Sequence, residues 1–183
     1  VIDLADTTSP KVLGELKEPG FSAYLHPIGE HRMLGIGSSG TDDGRITGAK
    51  VALYDTSDPT HPRAVATLPI QDGYSSAGGD SHAFTWDVER KLAFIPMSLQ
   101  PAFDARRAVY SEPIAGVAVY RVDGDAVTWV GWIDHSKHAV QPTGCGDVGV
   151  PECPPSASCI APDFRMPAYA SPVDRTAVVR DRV

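Results

Sequence analysis

Two short groups of acidic and histidine residues have the types and spacing that metal or acid–base chemistry would use. Asp42 and Asp43 precede Gly44 in the segment TDDGR, and Asp80 lies two residues before His82 in GGDSHAF. Adjacent carboxylates beside a glycine turn can supply oxygen ligands to Ca²⁺, although the spacing is not that of an EF-hand loop. An aspartate two residues from a histidine can orient its ring for metal binding or proton transfer. The plainer alternatives, an Asp-Gly turn and a hydrogen-bonded loop, stay open.

Three cysteines, Cys145, Cys153 and Cys159, lie within one segment rich in proline and glycine. Their spacings are wider than the C-x2-4-C knuckle that is typical of structural zinc sites. They predict a disulfide-stapled loop in an oxidising compartment, with one thiol left free or paired outside the chain. A zinc site and reduced, inert thiols are the remaining alternatives.

A third set of residues has the chemistry of a contact surface and not of catalysis. These residues lie in two predicted loops, where arginine and tyrosine favour partner binding. The candidate ligand- or partner-binding residues are Asp72, Tyr74, Asp104, Arg106, Arg107 and Tyr110. The alternative is a pair of solvated loop tips. No nucleophile elbow or phosphate-binding glycine pattern is present, so the sequence predicts no catalytic residues.

Composition limits the class of protein further. The chain has 183 residues, a net charge of -7 and 42% hydrophobic residues. This composition indicates a folded chain and argues against a nucleic-acid partner, which would favour a basic surface. No apolar stretch approaches the roughly 20 residues of a membrane-spanning helix. The sequence begins and ends within strand-like runs, so we expect it to be part of a longer protein.

The elements that must position these residues are short β-strands. Two phrases alternate along the chain, one beginning at Ala23, His82 and Ala168, the other at Val1, Val51 and Val117. Each phrase holds two apolar runs with period-two alternation, separated by a turn rich in Asp, Pro or Gly. The predicted strands are 1–4, 11–17, 22–27, 32–37, 49–55, 63–69, 82–87, 91–97, 116–122, 126–133, 168–173 and 176–180.

Repetition of four antiparallel strands is typical of β-propeller blades, so we predict an all-β, incomplete β-propeller. The predicted units are a half-blade 1–18, a blade 22–70, a blade 81–133, a cysteine-bearing loop 134–167 and a half-blade 168–183. A β-sandwich is the competing fold. Within each predicted meander, one end carries short turns and the other carries long connections, and a binding site is expected on the long-loop face.

Three long phrases carry a resemblance to a known family. VIDLADTTSPKVLGELKEPGFSAYLHPIGEHRMLGIG, GRITGAKVALYDTSDPTHPRAVATL and DGYSSAGGDSHAFTWD resemble secreted bacterial and archaeal proteins with a C-terminal β-propeller domain. The resemblance implies an extracytoplasmic domain, often anchored at the cell envelope. It implies no established reaction and no catalytic residues.

The function that we expect is a non-catalytic binding platform for a protein, glycan or peptide at the cell envelope. The remainder of the propeller chain is a further expected partner of this segment. The alternative is a metal-dependent enzyme or metal-binding module, with Ca²⁺ or a transition metal held by the Asp and His candidates. A scaffold or spacer without a ligand is the third hypothesis. No cofactor is predicted with certainty, and fold alone does not decide among the three.

Overall fold

The computed structural model describes residues 1–99, 114–136, 173, 176 and 177, and the backbone of 103–104 and 109–110. In this part of the chain the strands pair antiparallel, and the complete helical elements are two 3₁₀ turns, Ser76–Gly78 and Ser81–Ala83. The strands are β1 (Ile2–Asp3), β2 (Lys11–Val12), β3 (Phe21–Gly29), β4 (Arg32–Gly40), β5 (Ile46–Asp55), β6 (Arg63–Gln71), β7 (Gly73–Tyr74), β8 (Thr85–Asp87), β9 (Leu92–Leu99), β10 (Phe103–Asp104), β11 (Val109–Tyr110), β12 (Ile114–Asp123) and β13 (Ala126–Asp134).

The first complete blade is the sheet β3-β4-β5-β6, whose strands follow one another in chain order. β3 alternates between exposed and partly buried residues, as a strand with one exposed face does, whereas the last seven residues of β5 are all buried. On β5, Ala49, Val51 and Leu53 face the neighbouring blade within the main core, whereas Lys50 and Tyr54 alternate with them along the strand. The meander order of four neighbouring strands fits a propeller blade.

The second blade has the strand order β13-β12-β9, and its innermost strand is divided into two pieces. Gly73 of β7 pairs with Leu99, and Thr85 of β8 pairs with Phe94, so β7 and β8 lie along the same edge of β9. Between them, the Ser75 hydroxyl donates a 2.6 Å hydrogen bond to the Pro96 carbonyl. The sequence predicted one continuous strand over 82–87, but the chain leaves β9 beside Pro96, which has no amide hydrogen to donate.

The start of the predicted strand 82–87 is wrong, because residues 82 and 83 belong to a 3₁₀ turn at Ser81–Ala83. Asp80 is the N-cap of this turn, and its carboxylate accepts a 2.9 Å hydrogen bond from the His82 amide. A local side-chain acceptor of this kind competes with strand pairing for the backbone donor.

One cluster of buried side chains draws on both blades. Burying one large aliphatic side chain contributes about 1.5–3 kcal/mol, so this shared layer holds the two blades together. Its largest aliphatic members are Leu34, Ile36, Val51, Leu53 and Ile95. A second, smaller cluster of Phe94, Val117 and Val119 has Val173 packed against it.

The half-blade β1–β2 repeats the outer pair of the first complete blade in detail. Asp3 pairs with Lys11 as Asp55 pairs with Arg63. The turns that follow share their capping bonds, because Thr8 and Thr60 each donate backbone and hydroxyl hydrogen bonds to the aspartate two residues earlier. The repeated phrase in the sequence therefore encodes a repeated turn as well as a repeated strand pair.

The two tryptophans of β13 lie on the same face of the sheet. In a regular strand, their spacing of three would place them on opposite faces. Tyr120 pairs with Trp129 and the residue before Tyr120 pairs with Gly131, so Val130 is an extra residue in a β-bulge. The bulge shifts the alternation by one, and the rings of Trp129 and Trp132 stack with centroids 6.4 Å apart and an interplanar angle of 22°.

The last predicted strand pair is described only at Val173, Thr176 and Ala177, and none of these three residues is in a strand. Thr176 lies against the second blade, where its carbonyl accepts a 2.6 Å hydrogen bond from the Thr85 hydroxyl. The predicted long loop between β4 and β5 is also shorter than expected. Both strands extend further than predicted, and the turn between them is limited to residues 41–45.

The blades present two faces at the ends of their strands. The short-turn face carries the turns at 30–31, 56–62, 88–91 and 124–125. The long-loop face carries the ends of the strands near Phe21, Ile46, Tyr74, Leu99 and Ile114, together with the connection at 41–45, whereas residues 75–84 lie beside the middle of β9. The architecture is thus an incomplete β-propeller, as the sequence predicted.

Candidate functional site

Asp42 and Asp43 lie at the tip of the tight turn between β4 and β5. Gly44 has a φ of 86°, and its amide donates a 2.9 Å hydrogen bond to the Thr41 carbonyl. The Thr41 hydroxyl donates to the Asp43 carboxylate. Asp43 therefore stabilises the turn, and Asp42 projects into solvent beside it.

Asp80 and His82 form a local pair at the second 3₁₀ turn. His82 Nδ1 lies 3.1 Å from the Asp80 carboxylate oxygen that also accepts the His82 amide. The His82 side chain is 77% exposed and that of Asp80 is 44% exposed, so the pair sits at the surface. Its geometry is that of a helix cap.

The four metal candidates do not form one ligand set. Among the described residues, no group of three or more His, Cys, Asp or Glu side chains is placed to hold a metal ion. Asp42 and Asp43 lie after β4, whereas Asp80 and His82 lie in the excursion between β7 and β8.

Two of the contact candidates, Asp72 and Tyr74, are exposed on the long-loop face. Tyr74 lies in β7 and is 60% exposed. Asp72 has a φ of 55°, and its amide donates a 3.0 Å hydrogen bond to the Thr47 carbonyl. This bond ties the link between blades to β5.

Of the other four contact candidates, the structure describes the backbone of two. Asp104 and Tyr110 belong to β10 and β11, a two-stranded antiparallel ribbon in which Asp104 pairs with Val109 and Tyr110 with Phe103. Arg106 and Arg107 lie outside the described residues. The three cysteines, Cys145, Cys153 and Cys159, also lie outside them.

Two neighbouring clefts open on the long-loop face of the first blade. One has a volume of about 560 Å³ and is lined by residues that include Phe21, Asp42 and Ile46. The other has a volume of about 420 Å³ and is lined by residues that include Arg45, Ile46 and Asp72. Ile46 belongs to both clefts and forms the ridge between them.

Large apolar side chains emerge where the strands end on this face. Phe21 is 53% exposed, Ile46 52%, Tyr74 60% and Ile114 41%. The sequence analysis missed Phe21, Ile46 and Ile114, because each begins an apolar strand and looks like a core residue. No signal in a single sequence separates the exposed end of such a strand from its buried centre.

On the short-turn face, an ion network that the sequence analysis missed joins the two blades. Asp55, which is 3% exposed, lies 2.5 Å from Arg32 Nη1 and 2.7 Å from Arg63 Nη2. Arg32 also reaches Asp125 of the second blade at 2.5 Å. The amide of Ser57, its hydroxyl, Arg63 and Arg32 together lower the pKa of Asp55. In the sequence, Asp55 follows the apolar run VALY as Asp3 follows VI, and this repeat was the signal that could have pointed to Asp55.

A cleft of about 620 Å³ lies beside this network between the blades. Its wall includes Ile28 and Trp86 together with Arg32 and Lys91. The charges around it are paired, since Arg32 contacts two carboxylates and Lys91 lies 3.0 Å from Asp123. We therefore assign the network a structural role, which is to hold the two blades together.

A second ion pair is buried where the half-blade meets the first complete blade. Lys50 Nζ, on a side chain 1% exposed, lies 2.5 Å from Glu18, which also accepts a hydrogen bond from the Tyr54 hydroxyl. Burial, with a smaller contribution from Glu18, raises the pKa of Tyr54. Buried charges need such partners, and these three residues anchor the segment before β3.

The sheet order and the layer shared between blades define a β-propeller protein. The family described as "Beta propeller domain" matches residues 1–150. The chain therefore belongs to that family, which confirms the β-propeller part of the resemblance.

The relatives have no assigned function. An uncharacterised protein of Methanocaldococcus jannaschii is 46% identical over 96 residues, covering 52% of this chain and 15% of that protein. An uncharacterised protein of Archaeoglobus fulgidus is 38% identical over 96 residues, covering 52% of this chain and 14% of that protein. This match thus spans about one seventh of the length of these relatives. No solved structure matches the chain.

Proposed function

We propose that this domain is a non-catalytic binding platform that uses its long-loop face to bind a protein, peptide or glycan. The observation that carries the proposal is the set of four large, half-exposed side chains at strand ends on that face, Phe21, Ile46, Tyr74 and Ile114. Clustered apolar exposure rimmed by polar residues marks interaction surfaces.

The opposite face supports this choice by contrast. Its turns expose the large apolar side chains of Leu4 and Val88 among the described residues, and its main feature is the paired network of Arg32, Asp55 and Asp125. Charges that already satisfy one another add little affinity for a partner.

The net charge of -7 favours a protein or glycan partner over nucleic acid. No helix in the described part of the chain is long and apolar enough to cross a membrane.

We further propose an extracytoplasmic location. Support comes from three cysteines placed in one short proline-rich segment, a pattern that favours disulfide formation. The full-length protein would be isolated from its native cells with its thiols blocked at lysis. Its thiols would then be counted by maleimide mass tagging before and after reduction. Two additional tagged thiols from this segment after reduction are expected, whereas three tagged thiols before reduction would contradict a disulfide.

Site-specific photo-crosslinking tests the platform. A photoreactive phenylalanine would replace Tyr74 on the long-loop face or, as the matched control, Val88 on the short-turn face of the full-length protein. Tyr74 is 60% exposed and Val88 70%, so the two probes have similar access.

After irradiation in intact cells, discrete adducts are expected from position 74 and few from position 88. Equal labelling at both positions, or labelling only at 88, would place the partner elsewhere and overturn the proposal.

A further inference from the structure

We propose that the two clefts on either side of Ile46 bind an extended, positively charged peptide segment, with an apolar side chain in the first cleft and a basic side chain in the second. This inference rests on the proposed function, and it names the partner of the part of the long-loop face that the first blade contributes. The segment would belong to a partner protein.

The shape of the surface favours an extended segment. Ile46 rises between two clefts of about 560 and 420 Å³. Both clefts are open to solvent along the ends of β3 to β6, which cover three strand spacings of about 4.8 Å, or about 14 Å in total. An extended peptide advances about 3.3 Å per residue, so about four residues would cross the blade.

The lining of the clefts selects the side chains. One cleft begins at Phe21 on β3 and the other ends at Asp72 after β6, with Ile46 of β5 between them. Phe21 and Ile46 give the first cleft an apolar wall, whereas the lining of the second is polar apart from Ile46 and includes the carboxylate of Asp72. Side chains at positions i and i+2 of an extended peptide point to the same side. An apolar residue in the first cleft and a basic residue two positions away, beside Asp72, would straddle Ile46.

The charge of the surface selects a positively charged segment. Asp42 and Asp43 stand beside the first cleft, and Asp72 lines the second. The single nearby guanidinium, Arg45, leaves an excess of negative charge. In the described part of the chain, no ion pair involves Asp42, Asp72 or Arg45.

The other nearby charges are already paired. Lys17 lies 3.3 Å from Glu15, and Glu18 is held by buried Lys50. A segment with Lys or Arg on both sides of the apolar residue would meet the carboxylates of Asp42 and Asp72. Complementary charge of this kind selects partners and speeds their association.

The walls of the clefts are held in place before any partner arrives. Thr41 closes the β4–β5 turn, with its amide 2.9 Å from the Arg45 carbonyl. The Asp72 amide is bonded to the Thr47 carbonyl on the other side of Ile46. A rigid surface loses little conformational freedom when it binds.

The test is a selection on the full-length protein with a random library of linear heptapeptides displayed on phage. Enriched sequences are expected to contain an apolar residue separated by one position from Lys or Arg. The most enriched peptide would then be synthesised and its Kd measured by fluorescence anisotropy.

Three variants locate the binding. Ile46→Glu is expected to raise the Kd of the peptide at least tenfold and Asp72→Asn to raise it threefold or more. The control Val88→Glu should change the Kd less than twofold. Raising the salt concentration should weaken binding by the wild type more than binding by Asp72→Asn.

Several outcomes would overturn the inference. They are the absence of enriched peptides, enrichment of acidic or wholly polar sequences, and affinity that survives Ile46→Glu. Adducts at Tyr74 in the crosslinking experiment would then still support the platform, so the two proposals can fail separately.

Discussion

At the scale of single residues, the chain uses aspartates chiefly to organise its own backbone. Asp6, Asp58 and Asp80 each accept the amide of the residue two positions later. Asp55 does the same for Ser57 and is also bound by two arginines. Local acceptance of this kind is the ordinary chemistry of aspartate in turns. It explains why acidic clusters in this sequence suggested metal sites that the described structure does not assemble.

The first prediction concerns Asp55. In Asp55→Asn, Arg63 loses a charged partner at 2.7 Å, and the turn 56–62 should open more often. Trypsin should therefore cleave after Arg63 several times faster than in the wild type. Asp123→Asn is the matched control, because it removes the exposed partner of Lys91 and should leave the cleavage rate unchanged. Equal rates in the wild type and Asp55→Asn would show that the ion network does not hold this turn.

The same carboxylate predicts a dependence on pH. The bonds from Ser57 and from the two arginines lower the folded-state pKa of Asp55. The stabilisation is therefore present above about pH 4, the unfolded value, and is lost as the pH falls toward the folded-state pKa. Hydrogen-exchange protection factors of β5 and β6 should fall over this range in the wild type. A decline equally steep in Asp55→Asn would refute the assignment.

A second prediction separates backbone strain from a steric clash at two glycines. Gly20 and Gly44 have φ values of 75° and 86°. A Cβ at Gly20 would lie 2.1 Å from the Ser38 carbonyl oxygen, whereas a Cβ at Gly44 would meet no atom within 4 Å. Gly44→Ala should therefore lower the local unfolding free energy by about 1 kcal/mol through backbone strain alone. Gly20→Ala should lower it further, because the backbone must also move to relieve the clash. Local unfolding free energies of β4 from hydrogen exchange would measure both, and equal costs would exclude the clash.

At the scale of elements, the strands follow their apolar pattern, but several of them depart from regular pairing, and two departures shape the second blade. The innermost strand of the second blade is divided beside Pro96, and β13 contains the bulge at Val130. A bulge shifts the side-chain alternation by one residue, and this change decides which surfaces the tryptophans share.

A third prediction follows from the register of β13. Deleting Val130 would remove the bulge and leave Trp129 and Trp132 two residues apart on one face, so their stacking should persist. Deleting Thr128 would also allow a regular ladder, but it would move Trp129 to the other face. The exciton signal of the stacked pair in circular dichroism, taken as a difference from Trp129→Phe, should survive only the first deletion. Loss of the signal in both variants would contradict the proposed register.

At the scale of the whole molecule, an apolar layer and the ion bridge between Arg32 and Asp125 join the two blades. His26 lies within this junction, with its ring centroid 4.8 Å from that of Phe84 in the second blade. Its Nδ1 is 2.9 Å from the Tyr24 hydroxyl. Burial lowers the pKa of His26, because a charged ring would lose hydration there.

The fourth prediction is that acid loosens this junction. Because the pKa of His26 is lower in the folded state, its neutral form is favoured, and stability should decline as the pH falls below about 6.5. Protection factors of β3 and β8 should decrease between about pH 7 and 5 in the wild type and less in His26→Phe. His61→Gln changes an exposed histidine and should behave as the wild type does. A decline of equal size in His26→Phe would assign the pH response to other groups.

The sequence by itself determined the fold class and most strand positions. Its apolar alternation and repeated turn residues are local signals, and local sterics and hydrogen bonds fix strands and turns. The four strands of the first blade and the Asp-Gly turn at Asp43 were therefore predictable. The division of an inner strand and the Val130 bulge were not, because each depends on what the neighbouring strand can pair with.

The candidate site divides in the same way. The sequence placed Asp72 and Tyr74 on a contact face through strand order alone, and their role there stays a prediction. Only the tertiary structure decided that Phe21, Ile46 and Ile114 are exposed, that Asp55 is buried between two arginines, and that Asp42 and Asp80 belong to separate turns. Exposure and ion pairing depend on which segments, distant in sequence, pack together in space. One amino-acid sequence does not show which segments those are.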